Sequence, residues 1–76
     1  MTHTLAELES ASRHVAEGAR RVADQRRRIA ELVRTGRDTR LSIHVLENFQ
    51  ATLQLLVQHR NIILRDLGLK QTELPS

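Results

Sequence analysis

The chain has 76 residues, of which 28% are charged and only one, Phe49, is aromatic, and its formal net charge is +3. It contains no cysteine, which excludes disulfides, thiolate metal sites and cysteine nucleophiles. A chain of this length predicts a single domain over residues 1–76, and a domain so small is usually stabilised by a partner subunit when it has neither disulfides nor a metal.

The first predicted element is a long helix over residues 5–35. Thr4 stands three residues before Glu7, a spacing typical of the capping box that begins a helix. No proline follows as far as Thr35, and strong helix formers dominate this stretch. Gly36 can adopt the left-handed conformation that ends a helix.

Apolar residues of this helix recur every seven positions, a pattern that predicts a seam against another helix. Gly18 has two interpretations, a close approach of the neighbouring helix or a tolerated surface glycine. Ala16, Ala23 and Ala30 flank the seam and would also permit close approach. The predicted seam consists of one row, Leu8, Val15, Val22 and Ile29, and a companion row, Leu5, Ser12, Ala19, Arg26 and Val33.

A second helix is predicted over residues 39–67, after a turn at 36–38. Its N-cap is either Asp38 or Thr39. Gly68, followed by Leu69, has the form of a Schellman stop, and residues 69–76 are expected to fray. Two helices of matched length joined by so short a turn predict an all-α antiparallel hairpin.

The second helix is apolar over a wider arc than one neighbour can cover. Ser42, Phe49, Leu56 and Ile63 form one row toward the first helix, and Leu46, Leu53, Arg60 and Leu67 form the next. A further row, Leu41, Leu55, Ile62 and Leu69, points away and is interrupted only by Asn48. The simplest completion is a homodimer that forms a four-helix bundle. A different protein partner and a marginally stable monomer are the alternatives. The predicted oligomer or partner interface consists of Leu41, Phe49, Leu55, Leu56, Ile62 and Ile63.

Arginines are the most conspicuous polar residues, and five of them cluster in the first helix at positions 20, 21, 26, 27 and 28. Acid-first pairs four residues apart predict partial neutralisation of this surface. These pairs are Glu9 with Arg13, Glu17 with Arg21 and Asp24 with Arg28. The alternative is a phosphate-binding face for nucleic acid. Its candidate contacts are Arg20, Arg21, Arg27 and Arg28.

Metal binding and catalysis have little support in the sequence. His44 stands three residues before Glu47, and a hairpin brings His14 level with His59, but surface histidines are the expected interpretation. No glycine-rich phosphate loop and no nucleophile motif is present. We therefore predict no catalytic, cofactor-binding or metal-binding residues, no cofactor and no enzymatic activity.

A resemblance supports the hairpin without adding an activity. The segments HVAEG from His14, RRVA from Arg20 and GRDT from Gly36 resemble a group of short, uncharacterised bacterial proteins in which a glycine turn separates two helices. The architecture also resembles small plasmid-copy-number RNA-binding hairpin dimers, although no motif matches. Charged residues near the N-terminus and the lack of a long apolar run predict a cytoplasmic protein without a membrane segment.

Overall fold

The computed structural model describes residues 3–69, which form two helices and, within that range, no strand. Helix α1 covers Leu5–Arg34 and helix α2 covers Arg40–Asp66. They pack side by side in a slender body of 50 × 21 × 16 Å. The predicted all-helical hairpin is confirmed, and both helices end within one residue of the predicted bounds. The predicted tail falls outside the described residues, except for Leu69.

Short local motifs end both helices. Gly36 and Gly68 have φ angles of 71° and 69°, the left-handed region in which glycine carries no steric penalty. After α2, the Leu69 N–H donates to the Leu64 carbonyl at 2.9 Å and the Gly68 N–H donates to the Arg65 carbonyl at 3.0 Å. This pair of bonds is a Schellman motif, as predicted. Leu69 therefore belongs to the helix cap and is not frayed.

The N-terminal caps differ from each other. The Glu7 N–H donates to Thr4 Oγ1 at 3.1 Å, which confirms half of the predicted capping box. The Glu7 carboxylate contacts His3 Nδ1 at 2.5 Å, where a complete box would have it accept from the Thr4 backbone. At α2, the carboxylate of Asp38 accepts from the Arg40 N–H at 3.0 Å. The Arg40 guanidinium, together with that backbone bond, holds the pKa of Asp38 below its usual value.

One of the two seam rows predicted for α1 is wrong except at Ser12, which is half-buried. Leu8 and Val22 are buried, and Val15 and Ile29 are half-buried, as predicted. In the companion row, however, the terminal residues Leu5 and Val33 are 61% and 64% exposed. Arg26 and Ala19 also face solvent. The residues that face α2 instead are Ala11, Gly18, Gln25 and Leu32.

Close packing explains this difference. A Cβ built on Gly18 would lie 3.2 Å from the Cδ1 atoms of both Leu53 and Leu56, so the glycine lets two leucines of α2 approach the α1 backbone. Ala11, nearly two turns into α1, is 4% exposed and packs in the buried cluster with Ile63 and Leu64. The small residues Ala11 and Gly18 thus take part in the seam, while the larger Leu5 and Val33 do not. The close-approach interpretation of Gly18 is confirmed.

The seam combines an apolar cluster with one polar bond. Leu8, Ala11, Ile63 and Leu64 form a buried cluster at the open end of the hairpin. Nearer the turn, buried Gln25 donates from Nε2 to the Ser42 carbonyl at 2.8 Å. This bond fixes the axial position of α1 relative to α2, because shifting either helix by one turn would separate the two groups.

Candidate interaction surface

The outer side of α2 carries a row of exposed apolar side chains. Leu41 is 77% exposed, Leu55 is 66% exposed and Ile62 is 49% exposed. Together with Asn48 they recur every seven residues, and we call these four residues the outer stripe. Exposure to this extent means that α1 covers none of the three apolar members.

The other predicted interface residues lie closer to α1. Phe49 and Leu56 are half-buried, and Ile63 is 1% exposed within the apolar cluster. Ile63 therefore packs inside the hairpin. The six residues do not form one continuous surface: three are exposed on the outer stripe, two are at its inner edge and one is enclosed.

An open groove runs between the outer stripe and α1. It has a volume of about 450 Å³ and a largely apolar floor formed by Gly18, Phe49 and Leu56. Its polar rim comes mainly from α1, and Thr52 closes it on the α2 side. We call it the Gly18 groove. Its complete lining consists of His14, Glu17, Gly18, Arg21, Phe49, Thr52 and Leu56. The groove joins the half-buried interface residues to the exposed stripe.

Charge is distributed unevenly between the two helices. Arginine and acidic residues occur along the whole of α1. Between Leu41 and Leu64, by contrast, α2 contains only two such residues, Glu47 and Arg60, and Arg60 is half-buried at the seam. An outer face almost free of charge is typical of the centre of a protein–protein interface, where charged residues are depleted.

A second row of small side chains, interrupted by the exposed Arg26, lies on the opposite side of α1. Successive residues of a helix point about 100° apart, so Glu17 and Ala19 point to opposite sides of Gly18. Because Glu17 lines the groove, Ala19 lies on the far side of the hairpin. We call the exposed small residues there the alanine row. It consists of Ala16, Ala19, Ala23 and Ala30.

The predicted neutralisation of the arginine cluster is largely wrong. None of the three acid-first pairs four residues apart is among the ion pairs of residues 3–69. Asp24 instead pairs with Arg27, and Glu31 pairs with Arg34, both three residues apart. Asp24 pairs with Arg27, so it does not pair with Arg28, the partner that the four-residue spacing predicts. Among the candidate nucleic-acid contacts, Arg27 is paired, while Arg20, Arg21 and Arg28 are exposed and have no ion pair in this part of the chain.

The histidines form contacts with acids rather than a metal centre. His3 bridges the two helices at the open end, with Nδ1 2.5 Å from Glu7 Oε2 and Nε2 3.2 Å from Asp66 Oδ2. His44 Nδ1 lies 3.4 Å from Glu47 Oε1. His14 and His59 line one shallow pocket, in agreement with the prediction that the hairpin brings them to the same level. Over residues 3–69, no three histidine or acidic side chains are placed to hold a metal ion.

The chain matches no protein-family model, no curated protein and no solved structure. Neither α1 nor α2 is sufficiently apolar over its length to cross a membrane.

Proposed function

We propose that this protein is a non-enzymatic helical interaction module that acts as a homodimer. The observation that carries the proposal is the exposure of Leu41, Leu55 and Ile62 on one uncharged face of α2. Fully burying such a side chain against a partner would contribute roughly 1.5–3 kcal/mol of stability. A two-helix hairpin gains little stability from its own seam, so a partner subunit supplies what the single chain lacks.

The proposal includes a four-helix arrangement and a cytoplasmic location. Two hairpins that share their exposed apolar faces form a bundle of the kind whose helices pack around a common core. The absence of cysteine fits a reducing compartment. A regulatory role would follow if the assembled module presented its charged α1 surfaces to another protein.

The mass of the protein in solution tests this proposal. Light scattering over a concentration series is expected to give about twice the chain mass of 8.7 kDa, and less on dilution. The thermal midpoint, followed by circular dichroism, should rise with protein concentration because association stabilises the folded state by mass action. A mass of one chain at every concentration, with a constant midpoint, would exclude the homodimer.

A second candidate function is nucleic-acid binding through α1. It is favoured by the exposure of Arg20, Arg21 and Arg28 without ion pairs among the described residues, since unpaired cations are free to contact phosphates. Two features weaken it. Exposed acids interrupt the same surface, and the single aromatic residue of the chain, Phe49, lies half-buried on α2 rather than among the arginines.

Binding at graded salt concentration tests this second candidate. If it is correct, affinity for mixed-sequence RNA or duplex DNA should fall linearly in the logarithm of salt concentration. Replacing Arg20, Arg21 and Arg28 together with Gln should flatten that slope. The control, Arg34→Gln, removes a cation already paired with Glu31 and should change the slope less than the triple replacement does. No binding at low salt would eliminate this candidate.

A further inference from the structure

We propose that the second copy of the chain docks on the outer stripe, with α2 of each copy antiparallel to α2 of the other about a two-fold axis near Ala51 and Thr52. This inference rests on the proposed function only in that it requires a homodimer. It goes further by assigning the outer stripe rather than the alanine row to the contact and by fixing the direction and level of the two helices.

The outer stripe is self-complementary about that axis. A two-fold contact requires that when one residue meets a second, the second also meets the first in the other copy. With the axis between Ala51 and Thr52, Leu41 lies level with Ile62 of the partner subunit, and the reverse contact follows by symmetry. Leu55 lies level with Asn48 of the partner subunit. A pair of large apolar side chains, Leu41 and Ile62, therefore lies at each end of the contact.

The residues at the axis are small enough for the helices to approach closely. Ala51 and Thr52 are both exposed, and they occupy the middle of α2, whose described range is Arg40–Asp66. An axis at the middle of the helix keeps nearly its full length in contact. Thr52 also lines the Gly18 groove, so the groove opens at the same level. It provides space beside Phe49 and Thr52 for Leu55 of the partner subunit.

Charges at the helix ends favour the antiparallel direction. Antiparallel pairing brings Asp66, at the C-terminal end of α2, within one helical turn of the level of Arg40 of the partner subunit, at the N-terminal end, so opposite charges approach at both ends. Parallel pairing would set Arg40, Arg65 and Asp66 each beside its own copy, and like charges at close range are unfavourable. Between these ends the stripe carries no formal charge.

The available area is that of a stable interface. The hairpin is 50 Å long and 21 Å wide, and a standard interface requires about 800 Å² from each partner. A contact that covers the outer stripe and extends over the Gly18 groove along most of this length would meet the requirement. The alanine row is shorter, about 21 Å against about 32 Å for the outer stripe at 1.5 Å per residue, and its small side chains present less apolar surface than the leucines and isoleucine of the outer stripe. The experiment therefore compares these two faces directly.

Single cysteines locate the axis, because the natural chain has none. A residue at a two-fold axis meets its own copy, so Thr52→Cys should form a disulfide-linked dimer on mild oxidation and should be captured by a short bis-maleimide. The matched variant Ala23→Cys is also exposed but belongs to the alanine row, and it should stay uncrosslinked under the same conditions. Both variants are compared at a concentration at which the parent chain is dimeric.

A charge series provides an independent readout. Leu55→Lys should weaken the dimer at least tenfold by sedimentation or light scattering, whereas Val33→Lys, at nearly equal exposure on α1, should change it less than twofold. Crosslinking through Ala23→Cys, or a dimer that tolerates Leu55→Lys, would overturn the assignment of the face while leaving the homodimer intact. A parent chain that is monomeric at all concentrations would remove the proposed function and this inference together.

Discussion

Replacing Leu8 with alanine is expected to lower the free energy of unfolding by about 3 kcal/mol, within the usual 2–5 kcal/mol for truncating a buried leucine. Leu8 is fully buried in the cluster that it forms with Ala11, Ile63 and Leu64. The loss comprises the transfer free energy of the removed methyl groups and the cavity left behind. A domain with only a few kcal/mol of net stability would then be largely unfolded at room temperature.

Urea unfolding followed by circular dichroism measures this change, at one fixed protein concentration so that association contributes equally to every variant. Leu5→Ala is the matched control, because it makes the same substitution one turn earlier in α1 at a side chain that is 61% exposed. The control is expected to shift the free energy by less than about 0.5 kcal/mol. Equal losses for the two variants would contradict the seam described above and would support the predicted seam row that includes Leu5.

Replacing Gly18 with leucine is expected to destabilise the hairpin by about 1–3 kcal/mol through overpacking. Even the first carbon of the new side chain would lie 3.2 Å from Leu53 Cδ1 and Leu56 Cδ1, so the remaining carbons force the helices apart. Gly18→Ala adds only that first carbon, against which two flexible leucine ends must shift slightly. Helix propensity gains about 1 kcal/mol from the same change, and the net effect should be near zero.

The control for this series is Ala19→Leu, which places the same side chain on the exposed alanine row of the same helix turn. Its unfolding free energy should stay within about 0.5 kcal/mol of the parent value. Thermal and urea unfolding together measure all three variants. If Gly18→Leu is tolerated as well as Ala19→Leu, the two helices do not approach closely at this level.

Periodicity and end signals together predict most of this fold. The glycines at 36 and 68 fall where the apolar repeat stops, and both adopt the left-handed conformation that ends a helix. Thr4 caps α1, as its spacing from Glu7 indicated. These features depend on a few neighbouring residues, so a linear sequence contains the information that determines them.

Long-range packing is where the sequence pattern was insufficient. The row of Leu8, Val15, Val22 and Ile29 can form a seam with the residues on either side of it. Apolarity alone favours the side that contains Leu5 and Val33 over the side that contains Gly18 and Gln25. The approach of Leu53 and Leu56 decides the choice, and that approach is a property of the assembled pair. The ion pairs depend on rotamers in a similar way, since Asp24 can reach Arg27 as readily as Arg28.

The exposed apolar row of α2 could be predicted from the sequence. The row of Leu41, Leu55 and Ile62 was identified because no single neighbour could cover both it and the seam, and all three side chains are exposed. The groove beside it could not be found from the pattern, because it exists only where Gly18 leaves space between the helices. The sequence pattern places alanines at the flank of the seam, so it does not predict that they form an exposed row.

The short connection at residues 35–39 has a consequence for the uniqueness of the folded state. Both helices repeat every seven residues, so sliding one past the other by seven would again align apolar rows at modest penalty. Such a slide requires an extra 10 Å or so of chain, at about 1.5 Å of helix per residue, and the loop could supply it only by extending and losing the bonds from the Gly36 and Arg37 N–H groups that end α1. The turn therefore removes a family of near-degenerate competing states, and a repetitive sequence acquires a single native alignment.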